Sequence, residues 1–179
     1  AVDATNPEAT EERDAPLKTI ALTISASQTP FKMGEAVKFS HRFENKGETS
    51  VLLLKALDGS AEGRRYPHVF LEVKDAGGTP ISQSPGCGRC GNLNQLVEAD
   101  FLELKPGESK DLLEGGFPYW PLRVDRPGLY RATLVYRLKE PFTSDANMNG
   151  PVSGEVQKRL VRVPRGELRS NTVALEFKE

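Results

Sequence analysis

The chain is poor in the residues that build chemical centres. Its 179 residues include two cysteines, two histidines, two methionines and one tryptophan. No apolar run approaches the roughly 20 residues needed to span a bilayer. The longest, Val51-Leu52-Leu53-Leu54, suits a buried strand and excludes a transmembrane helix. Positive charge is not in excess: 24 Lys and Arg stand against 25 Asp and Glu, a formal net charge of -1. Phosphate backbones are held by clustered bases, so this balance excludes general nucleic-acid binding. No internal repeat is present, which excludes solenoids and propellers. No segment carries the sustained 3.6-residue periodicity of a long helix.

What remains is an ordinary globular composition, 37% hydrophobic and 27% charged, at a length that fits one domain. Residues 1–16 hold five acids and one base, interrupted by Pro7 and Pro16. Without apolar periodicity such a segment cannot offset its ordering entropy, and it reads as a flexible acidic leader. A single domain over residues 17–179 follows. Its polar start, Ala1-Val2-Asp3-Ala4, is compatible with a mature exported chain.

Period-two alternation predicts the strands. Ile20, Leu22, Ile24 and Ala26 share one face, opposite Thr19, Ala21, Thr23 and Ser25. Val37, Phe39, His41 and Phe43 form an apolar face against Lys38, Ser40, Arg42 and Glu44, with Asn45-Lys46-Gly47-Glu48 as the turn that follows. Further strands are expected at 50–57, 66–74, 96–104, 109–113, 129–138, 156–163 and 172–177. Glycine- and proline-rich or polar insertions at 82–94 and 140–154 interrupt them. Short strands separated by turn signals predict an all-β fold.

Three local patterns narrow the class: Leu104-Lys105-Pro106-Gly107-Glu108-Ser109, then Arg126-Pro127-Gly128-Leu129-Tyr130 opening a strand, then Ser170-Asn171-Thr172-Val173. With Phe43-Glu44-Asn45-Lys46-Gly47 and the hairpin from Tyr66 to Pro80, they resemble bacterial immunoglobulin-like domains. More narrowly, all of these but Ser170 to Val173 resemble the BsuPI group, named for the intracellular proteinase inhibitor of Bacillus. The resemblance covers about residues 39–136. It implies an immunoglobulin-like antiparallel β-sandwich of eight or nine strands. It also implies a periplasmic, secreted or cell-surface location, and a Tyr130 hydroxyl returned to a loop carbonyl as in tyrosine corners.

Candidate chemistry is confined to loops. Cys87-Gly88-Arg89-Cys90 reads as a small disulfide pinning a glycine-rich loop. The rival readings are a redox dithiol, which requires a helix N-terminus to lower the thiol pKa, and half of a zinc site, which requires two more ligands. Asp145, Asn147 and Asn149 ahead of Gly150 match the first half of a calcium loop. Glu155 stands one place before the twelfth position, which Val156 occupies, so a weak calcium site and an ion-free polar loop both fit. No other cofactor is expected. His41, on an apolar strand face, is expected to be buried and hydrogen-bonded.

The functional expectation is a non-enzymatic module that presents loops to a protein partner, its oligomeric state left open. Phe117, Tyr119 and Trp120, in a proline-rich knot, serve equally as contacts or as a core plug, and Arg89 is exposed on the cysteine loop. The alternatives are three. A proteinase inhibitor would anchor on Arg89 or Arg123. A redox or enzyme-accessory domain would use Cys87 and Cys90. A subunit assembling by strand addition would lend its leader to a neighbour's sheet edge. Lys158, Arg159, Arg162, Arg165 and Arg169 form a basic run, read as a solvated strand face or a contact for an acidic partner.

Overall fold

Alternating side chains bury one face of each long strand, and the register follows from which faces must meet. The computed structural model describes residues 17–57, 59–61, 63, 65–83, 94–112, 122, 124–138 and 153–179. Among them the chain forms β1 (Ile20–Ala26), β2 (Phe31–Lys32), β3 (Phe39–Asn45), β4 (Val51–Leu54), β5 (His68–Asp75), β6 (Pro80–Ile81), β7 (Phe101–Leu104), β8 (Ser109–Lys110), β9 (Gly128–Leu138) and β10 (Gly166–Lys178), with one helix, α1 (Gly154–Leu160). The protein is all-β. Among the described residues no helix is long and apolar enough to cross a membrane.

The strands form three sheets, ordered β1-β3-β8, β2-β10-β9-β5-β6 and β4-β7. Every pairing is antiparallel except β2 with β10. The inner faces meet in a shared core. Leu22 and Phe43 from the first sheet, Leu53 and Leu104 from the third, and Val69, Leu134 and Tyr136 from the five-stranded sheet lie in one buried cluster. A second cluster gathers Phe31, Val37, Leu122, Tyr130 and Phe177, and Phe39, Leu71 and Val173 pack against both. Each Leu, Val or Phe buried this way contributes roughly 1.5–3 kcal/mol relative to exposure.

Asn45 closes the seam between the first and third sheets. It is fully buried, and its amide nitrogen donates to the Thr49 and Leu104 carbonyls at 2.8 and 2.9 Å. Its side-chain oxygen accepts the Gly47 N–H at 2.9 Å, fixing the turn after β3. Gly47 is required by a close approach, because a Cβ there would lie 2.9 Å from Thr19 Cβ. As expected, Tyr130 buries its ring and donates its hydroxyl to the Arg126 carbonyl at 2.8 Å.

Residues 156–163, expected as a strand, instead begin within α1. Ser153 caps the helix by accepting the Val156 N–H, Glu155 sits in its first turn, and Lys158 and Arg159 sit in its last, complementing the helix dipole. Val156 and Leu160, four residues apart, are buried on one side while Val161 is 68% exposed, a helical and not an alternating pattern. Boundaries also move: 50–57 shortens to β4 and 66–74 becomes β5. Within 96–104, Glu98–Asp100 forms a 3-10 turn, stabilised by Asp100 Oδ2 accepting the Val97 N–H, and only β7 is strand. The last strand starts at Gly166, six residues before the expected Thr172, and carries a register shift between Arg169 and Thr172.

Candidate functional site

The expected contact and ligand residues fall mostly outside the described residues. This holds for Cys87, Arg89 and Cys90, for Phe117, Tyr119, Trp120 and Arg123, and for Asp145, Asn147 and Asn149. Glu155 is described. It is exposed on α1, and its carboxylate accepts from Lys158 Nζ at 2.7 Å. What the structure defines is how the bearing segments are rooted.

Two of the roots converge. Arg65 is 2% exposed, and its Nη1 donates to the Asn94 carbonyl at 2.8 Å, where the cysteine-bearing segment rejoins the fold. Three residues on, β5 begins with His68 opposite Arg137, and β9 ends at Leu138, the residue before 139–152. On the far side of that segment, α1 packs Val156 and Leu160 into the cluster that holds Leu96 and Leu138. Arg159 Nη2 meets Glu98 Oε2 at 3.2 Å. The exit of 84–93 and both ends of 139–152 are therefore fixed at one end of the five-stranded sheet. The residues that flank 113–121 fall in different clusters, Leu112 in the first and Leu122 in the second.

The outward face of the same sheet carries a charge ladder. Glu167 accepts from Arg137 Nε and Arg169 Nη1, both at 2.6 Å, and Arg169 also reaches Glu72. Burial opposes ionisation of Glu167, but the hydrogen bonds from Arg137 and Arg169 prevail and hold its carboxyl below the usual range. Arg137 also lies 5.1 Å above the Phe70 ring. Tyr66 and His68 stack with centroids 4.0 Å apart. Burial, and secondarily the Arg137 charge, lowers the His68 pKa. The basic run is thus divided among α1, which holds Lys158 and Arg159, the connection with Arg162 and Arg165, and β10 with Arg169. Lys158, Arg159 and Arg169 each answer an acid and do not form one strand face.

A groove of about 430 Å³ lies on the three-stranded sheet. The register sets Thr23 opposite Arg42 and Ser25 opposite Ser40, and all four are exposed. Asn171 borders the groove from β10, bonding both the N–H and the C=O of Ile24 at 2.8 and 3.0 Å. His41 also borders it. As expected, that histidine is largely shielded, its side chain 9% exposed, and its Nδ1 lies 2.7 Å from Asp111 Oδ1. Sequence reasoning set Thr23, Ser25, Ser40 and Arg42 on outward faces, but only the β1–β3 pairing brings them together. The anchoring roles of Arg65 and Asn171 carried no sequence signal.

In comparison with known proteins, the chain matches no family model and no curated protein.

Proposed function

We propose that the chain is a non-enzymatic extracytoplasmic interaction module, an immunoglobulin-like β-sandwich that displays loops to a protein partner. The shared footing of the exit of 84–93 and both ends of 139–152 carries this reading, since binding residues concentrate on loops positioned by a rigid scaffold. The buried Arg65 guanidinium and the α1 contacts stiffen that footing. The interior favours a frame over a reaction centre. Among the described residues it is built mainly of Leu, Ile, Val, Phe and Tyr, with Asn45, Ser60 and Arg65 as its buried polar members, while the Arg137–Glu167 and Arg169–Glu72 pairs lie on an outward face. The Tyr130 corner and the Asn45 turn agree with the resemblance to the BsuPI group.

Photo-cross-linking in living bacteria tests the reading. A photoreactive residue is placed at position 89 or 147, and a control at 131 on the outward face of β9. A discrete protein adduct from 89 and 147, absent at 131, is the expected result. Adducts from 131 alone, or none from the loop positions, would contradict it.

A further inference from the structure

We propose that the groove between Thr23, Ser25, Ser40 and Arg42 binds a small polyhydroxylated carboxylate, such as a sugar acid or hydroxy acid. Geometry comes first. Ser27 donates its N–H to the Lys38 carbonyl, so Ser25–Ser40 and Thr23–Arg42 are also hydrogen-bonded cross-strand pairs. Their Cα atoms are about 5.5 Å apart across the strands. Neighbours along one strand are about 6.6 Å apart. Three hydroxyls and one guanidinium thus form a square array on a rigid pair of strands, in a concavity of about 430 Å³. That volume falls in the range of small-molecule sites.

The chemistry of the array selects the ligand. Among the described residues the side chains of Arg42, Thr23, Ser25 and Ser40 have no hydrogen-bond or ion-pair partner. The nearest acid along the same face, Glu44, is taken by Lys46 at 2.6 Å. The groove therefore offers a single uncommitted positive charge in a planar fork, which matches one carboxylate in bidentate fashion. Among the described residues Arg42 is the only cation that lines it, so a phosphate dianion is left half compensated. Hydroxyls both donate and accept, which suits ligand hydroxyl groups better than an apolar body.

The test is an NMR titration of the intact protein with gluconate, with neutral glucose and inorganic phosphate as parallel arms. Saturable amide shifts at Thr23, Ser25, Ser40 and Arg42 with gluconate are expected, at a Kd of about 1 mM. Arg42→Gln is expected to weaken gluconate at least about tenfold while the rest of its spectrum stays unchanged. The double change Ser25→Ala, Ser40→Ala is expected to weaken gluconate while leaving the guanidinium in place. Failure of gluconate to saturate would overturn the proposal. So would equal binding of phosphate or glucose, or full retention of affinity in Arg42→Gln.

Discussion

The Tyr136 hydroxyl donates to the Leu54 carbonyl at 2.8 Å, from the five-stranded sheet to the two-stranded one. Lys55 N–H bonds the Asp100 carbonyl, so strand alternation turns the Leu54 carbonyl away from β7 and leaves it to the tyrosine. The ring is fully buried and meets Phe43 edge-on at 5.5 Å. Burial, only partly offset by the Leu54 bond, drives the phenol's pKa far upward. Tyr136→Phe keeps the packing and strands a buried carbonyl, which costs about 1–3 kcal/mol. The urea midpoint should fall with the slope unchanged.

Asn171 occupies the register shift of β10 and covers one residue of the β1 edge. Its neighbour Ser170 accepts the Leu134 N–H at 2.9 Å, so the two residues satisfy groups on both sides of the irregularity. Asn171→Ala frees both Ile24 groups. Hydrogen exchange at the Ile24 amide should accelerate selectively, and global stability should drop by about 1–2 kcal/mol. Uniform acceleration across β1 would show the asparagine holding the whole strand.

Asn45→Asp is expected to be among the most damaging single changes. The substitution turns an amide that donates to two carbonyls into a carboxylate that faces them, inside the core. A cost of about 3 kcal/mol or more is expected from an uncompensated buried charge. Gly47→Ala should cost about 1–3 kcal/mol by overpacking against Thr19. Both are read by chemical denaturation.

Acid should destabilise the fold in two stages. His68 is held below its ordinary value of 6.5 by burial and then by Arg137, so the unfolded chain takes up the proton first. Its contribution is complete above that ordinary value and is lost as pH falls through the lower folded one. Glu108 is lowered chiefly by its hydrogen bond from Lys110. Glu167 is lowered because its arginine hydrogen bonds outweigh burial. Their contributions are present above the ordinary carboxylate value of 4.5 and disappear below it. Urea midpoints measured from neutral to acid pH should fall in both windows. His68→Gln should flatten the first and leave the second.

The strands were legible where one face is buried and the other wet. β1, β3, β5 and β9 alternate over seven to eleven residues, and a period of two has no competing explanation at that length. Residues 154–160 were misread because Val156, Leu160 and Val163 look like strand apolars unless the Ser153 cap is noticed. The start of β10 was hidden by Ser170-Asn171, polar residues that imitate a turn while serving as hydrogen-bond partners to β9 and β1. The groove needed register. Thr23 and Arg42 are 19 positions apart, and only the pairing of their strands makes them neighbours. Arg65 gave no hint of burial, since an arginine beside another, Arg64, reads as surface.

A proton–proton Overhauser measurement on the Phe43 and Tyr136 rings tests the frame most directly, because those rings join the three-stranded and five-stranded sheets across the core. Strong cross-peaks between them, with intact ladder contacts inside each sheet, are the predicted result. Intact ladders with no contact between the two rings would mean that the layers do not face each other, and the loops would lose the common platform assigned to them.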